Sequence, residues 1–221
     1  MYYKVFILIY WYLYLASQTY KNIKNFSFKT KKDIYFNNQF AALIHSTITS
    51  LYYIYYYFSY GFMNNEGFTE NGNLVLYFHV IYYSIDIINC IKLNYQIYIY
   101  HHIISLIILF GLKITDNYKL FILAFFIAET TGCLINLRKT CLMKFKRFPY
   151  FLNLFVIIYY FLIRGILACY YLILFVIDFY RTFNYDLNSI INVLTILLCT
   201  LIIIVSMNWF KILVKNFLKY N

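Results

Sequence analysis

Long, nearly uninterrupted apolar runs constrain this chain more than any other feature of its sequence; residues 151–163 and 197–205 are two examples. Strands of a membrane barrel alternate polar and apolar residues over about ten positions, and these runs do not alternate. Hydrocarbon offers no partner to a backbone N–H or C=O, and a helix satisfies those groups within a single segment. The runs therefore predict helices. Of the 221 residues, 63% are hydrophobic and 12% charged, roughly half the charged share that a water-facing surface needs. The expected fold is an all-α, polytopic transmembrane bundle with no separate soluble domain.

A spanning helix takes about 20 apolar residues. About seven segments fit this rule: 2–16, 38–60, 74–92, 97–114, 119–137, 151–178 and 188–210. The first is short and interrupted by Lys4, so it is expected at the periphery of a six-helix core. The connections 93–96, 115–118 and 179–187 are tight, which predicts antiparallel neighbours. Lysine and arginine counts in short loops set orientation. Residues 17–37 carry Lys21, Lys24, Lys29, Lys31 and Lys32, whereas 61–73 carry only Glu66 and Glu70. The connection after 137 is again basic, with Arg138, Lys139, Lys144, Lys146 and Arg147. This alternation predicts a lumenal or external N-terminus and a cytosolic C-terminus. A glycan on Asn25, in Asn25-Phe26-Ser27, would contradict it. The net charge of +11 then belongs to orienting loops beside anionic headgroups, and no nucleic-acid partner is expected.

The 28 tyrosines and 23 phenylalanines accompany an excess of Ile, Asn and Lys, as AT-rich coding sequence produces, and no function is drawn from them. Cys90, Cys133, Cys141, Cys169 and Cys199 lie in or beside apolar runs without CxxC spacing, so they read as small hydrophobes.

Ionisable groups inside a span cost about 2.5–3.5 kcal/mol each at the helix centre. His45, His79, Asp86, His101, His102, Glu129 and Arg164 all fall inside the expected spans. Glu129, Gly132, Cys133 and Asn136 form one helical stripe, and His79, Tyr82, Tyr83, Asp86, Asn89 and Cys90 form another. At 1.5 Å per residue, His45, Asp86, His101 and Glu129 lie roughly 6–13 Å inside the cytosolic boundary, and Arg164 about 20 Å inside. Similar depth on four helices predicts a polar cavity in the cytosolic half, lined by His45, Asp86, Glu129, Asn136 and Arg164. His79, near the outer end of its segment, reads as an interface residue. Cross-helix pairing that merely holds the bundle together is the plainer reading of each group. No metal and no cofactor are assigned; four histidines are too few for a multi-histidine di-iron centre, and one zinc among His45, His101, His102 and Glu129 remains an alternative.

The order Tyr83-Ser84-Ile85-Asp86, His101-His102-Ile103, Glu129-Thr130-Thr131 and Asn136-Leu137-Arg138 resembles the TLC domain, the family of translocation-associated, Lag and ceroid-lipofuscinosis proteins. His45, Arg164 and Trp209-Phe210 fit as well, and the resemblance covers about residues 35–215. Residues 1–34 would then be an N-terminal helix with a basic loop, and 216–221 a short basic cytosolic tail. The resemblance implies an endoplasmic-reticulum or related membrane, a helical bundle around a lipid-accessible cavity, and lipid-related roles. In the family's ceramide synthases a histidine pair serves acyl transfer from acyl-CoA to a sphingoid base; carried over, His101 and His102 are the catalytic candidates. The synthases follow that pair with His-Asp and a second Asp, whereas here the stretch is Ala128-Glu129-Thr130-Thr131. The departure favours the branch without synthase chemistry, binding or regulating membrane lipids. The alternatives are an acyl-CoA-dependent N-acyltransferase and a membrane cargo receptor or assembly factor, the last with Lys219 as a weak retrieval signal and with unspecified protein partners.

Overall fold

The computed structural model describes residues 31–60, 70–145 and 149–220. These form helices, with no strand among them: α1 (Lys31–Tyr60), α2 (Glu70–Leu93), α3 (Gln96–Ile114), α4 (Tyr118–Phe145), α5 (Tyr150–Thr182) and α6 (Leu187–Tyr220). Five of them, α2 to α6, are long and apolar enough to cross a membrane. At 30 residues α1 is also long enough, but its many tyrosines leave it less apolar. Of the two other expected spans, 38–60 lies within α1, and 2–16 lies outside the described residues together with Asn25 and Glu66. Residues 216–220 continue α6 and do not form a separate tail.

Short turns make the chain double back. Only Asn94 and Tyr95 separate α2 from α3, and Asn94 takes a left-handed φ of 60°, a conformation that asparagine adopts more readily than most residues. Asp116 does the same between α3 and α4, at φ 49°. Between α5 and α6, Asp186 caps the new helix: the Ser189 N–H donates to its Oδ1 at 2.7 Å. That bond holds the Asp186 carboxyl below its usual range.

Packing contacts order the helices into a closed ring, α1–α2–α3–α6–α5–α4 and back to α1. The α1–α4 seam is the tightest and follows from the small-residue stripe on α4. Gly132 faces the Ser46 Cβ, and Cys133 Sγ lies 3.3 Å from Thr47 Oγ1. At the α3–α6 seam a Cβ on Gly111 would stand 2.8 Å from Thr195 Oγ1, so glycine there sets how closely the two helices approach.

Outside the ring the usual polarity is inverted. Ile173, Leu197, Ile204 and Tyr170 are exposed, as a hydrocarbon solvent requires. The end of the ring at which α1 begins carries Lys92, Arg138, Lys139, Lys211 and Lys215, whereas the far end mixes Lys113, Lys119 and Arg181 with Asp116, Asp178 and Asp186.

Candidate functional site: a polar layer and its cavity

Three helices bring buried polar side chains to one level. His45 of α1 and His79 of α2 are 1% and 0% exposed, and Glu129 of α4 is 6% exposed. His45 Nε2 lies 3.1 Å from His79 Nδ1. Glu129 Oε1 lies 3.7 Å from His79 Nδ1 and 4.0 Å from His45 Nε2. Hydroxyls complete the arrangement: Tyr83 donates to Glu129 Oε1 at 2.9 Å, and Thr49 to Oε2 at 3.3 Å. Tyr53 Oη sits 2.7 Å from His79 Nε2. The His45 ring stacks on Tyr82 at 3.9 Å.

A second group lies beside the first. His102 Nε2 stands 2.7 Å from Asp86 Oδ2, close enough for a charge-assisted hydrogen bond though off its ideal line. Asn38 Nδ2 donates to the other Asp86 oxygen at 3.3 Å. The adjacent histidines face different ways, as residues 100° apart on a helix must. His102 is buried against Tyr83, their ring centroids 5.1 Å apart, while His101 meets the edge of Trp209.

Arg164 comes from α5, where the helix widens to a π-helix over Phe161–Leu167. Such segments are rare and often mark functional positions. Its guanidinium ties three helices: Nε donates to Thr131 Oγ1 at 2.6 Å, Nη2 to the Ala128 carbonyl at 2.8 Å, and Nη1 to Ser206 Oγ at 3.3 Å. A charge at this depth is tolerable because carbonyl and hydroxyl oxygens replace its water.

These groups enclose a cavity of about 420 Å³. His45, Asp86, His101, His102, Glu129, Asn136 and Arg164, all singled out in the sequence, line it. It extends toward the end where α1 begins, past Gln39, Tyr98, Lys139 and Asn216. Arg138 at its rim donates to Asn153 at 2.6 Å, and Asn136 donates to Ser46 at 3.4 Å. A second, apolar cavity of about 110 Å³ lies toward the other end, among Ile108, Leu120, Leu123, Ala124 and Cys199. The two share Tyr83, His101, Ala128 and Arg164 as lining residues.

His79, read from the sequence as an interface residue, is wholly buried inside the ring, on a helix that begins at Glu70. Thr49 and Tyr53 were not singled out either. Their spacing of four and eight residues from His45 is the signal that places them on its face. No family model matches the chain, and no curated protein is detectably similar to it in sequence.

Proposed function

We propose that this chain is a multi-pass membrane protein of the TLC type that holds a membrane lipid inside its ring of helices. In this reading α1 is a further span, sheltered by α4, and the 2–16 segment adds a peripheral one. The basic end of the bundle faces the cytosol, in an endoplasmic-reticulum or related membrane. The observation that carries the reading is the pair of cavities, one polar and one apolar, that meet at Tyr83, His101 and Arg164. An amphiphile has the same two halves. Arg138 and Lys139 in the lining of the polar cavity suit an anionic headgroup, and the apolar chamber suits the start of an acyl chain.

The test is mass spectrometry of lipid retained by the full chain after detergent purification. Wild type is expected to carry lipid, and Glu129→Leu or Asp86→Leu to lose most of it. Lipid-free wild-type protein would overturn the reading.

One observation favours a second reading, acyl transfer from acyl-CoA to an amine such as a sphingoid base. Asp86 Oδ2 stands 2.7 Å from His102 Nε2, off the hydrogen-bond line here but within reach to orient the imidazole as a general base. Labelled acyl-CoA and sphingoid base supplied to microsomes decide it. Ceramide that disappears when His101 and His102 are both alanine supports transfer; no ceramide from wild type ends it.

A further inference from the structure

We propose that His45, His79 and Glu129 form a three-ligand site for a divalent transition metal of the zinc class, with its fourth position open to the polar cavity. The inference stands apart from the lipid reading, since a metal could be bound whether or not a lipid is.

The geometry is the first ground. A tetrahedral ion with bonds of about 2.0–2.1 Å spaces its ligand atoms about 3.4 Å apart. The three facing atoms, His45 Nε2, His79 Nδ1 and Glu129 Oε1, are separated by 3.1, 3.7 and 4.0 Å. The separations bracket the required edge, so shifts of a few tenths of an ångström close the site. The other compact group, Asp86, Cys90 and His102, fits worse. Its carboxylate and imidazole stand only 2.7 Å apart, well short of that edge.

The ligand set is the second ground. Two imidazoles and one carboxylate suit zinc better than the hard cations, which prefer oxygen alone. Three protein ligands with one open position are the pattern of sites that admit water or a substrate oxygen. His45 and Glu129 line the polar cavity and His79 does not, so two of the three ligands border the space from which a fourth would come.

Outer partners are the third. A ligating histidine usually has its other ring nitrogen held, which fixes the tautomer. Tyr53 Oη, 2.7 Å from His79 Nε2, can accept that N–H and leave the Nδ1 lone pair for the metal. Tyr83 and Thr49 orient the carboxylate.

The experiment is metal analysis of the full chain, purified in detergent without a polyhistidine tag and then dialysed against zinc. About one zinc per chain is expected, with the zinc lost in His79→Gln and Glu129→Gln but retained in His102→Gln, each scored on monodisperse protein. Tyr53→Phe should weaken retention about 10–100-fold. Cobalt(II) replaces the variants should they fail to fold: wild-type protein is expected to show the visible bands of tetrahedral cobalt. Zinc-free wild type, zinc unchanged in both ligand variants, or an octahedral cobalt spectrum each overturns the site.

Discussion

The two cavities are built by different means. Around the larger one, side chains from α1, α2, α3 and α4 bond to one another at stated atoms: Tyr83 to Glu129, Asn38 to Asp86, Asn136 to Ser46, Lys139 to Tyr98. Around the smaller one the walls are aliphatic side chains such as Ile108, Leu123 and Ile203, which hold position by filling space. Directional bonds specify which atom faces which, and they fail when a partner is removed. Packing specifies volume, and it fails when volume changes. The polar half should therefore be sensitive to chemistry at constant size, and the apolar half to size at constant chemistry.

Arg164 belongs to both halves, and its loss should break the contrast most severely. Arg164→Leu strands the Ala128 carbonyl and the Thr131 and Ser206 hydroxyls. We expect a loss of about 3 kcal/mol, given that hydrogen bonds to a charged group contribute about 1.5–3 kcal/mol. The readout is the midpoint of thermal unfolding in one detergent, with Arg164→Lys recovering part of the loss. An unchanged midpoint would mean that the guanidinium does not join the halves.

Ala124→Trp tests the apolar half. An indole there overfills a chamber of about 110 Å³, at an expected cost of about 1–3 kcal/mol, while the similar-sized Ala124→Ser should shift the unfolding midpoint far less. Equal effects from the two would show that volume is not what this half registers. The smallest effect is expected at the rim. Asn136→Ala removes one long hydrogen bond to Ser46, at 3.4 Å, about 0.6 kcal/mol for a cross-helix bond in a membrane protein. A loss several times larger would make Asn136 a principal organiser of the polar half.

Much of the polar half was legible because ionisable residues are costly in hydrocarbon and therefore conspicuous there. Asp86, His102 and Glu129 stand out against their runs, and helical spacing puts Asp86 and Glu129 on inward stripes. Tyr53 did not stand out, because in a chain with 28 tyrosines no single hydroxyl draws notice until the fold sets it 2.7 Å from a histidine. His79 stands out as ionisable too, but its complete burial inside the ring follows only from the fold. The π-helical turn around Arg164 left no signal in an apolar run that reads as ordinary helix. The apolar chamber was not legible at all: its residues resemble those that face lipid, and only the ring order separates inside from outside.

With α1 as the further span proposed above, the α1–α4 seam would impose an order on biogenesis. Synthesis releases α1, ending at Tyr60, well before its principal partner begins at Tyr118. In that interval α1 is the least apolar of the six helices and lacks the small-residue face against which it packs. We expect it to linger beside the translocation channel until α4 emerges, and the two to partition into lipid together. Chains truncated before residue 118 should leave α1 open to water-soluble thiol reagents at an introduced cysteine, and chains extended through residue 145 should protect it. Equal protection in both would show that α1 enters the bilayer unaided.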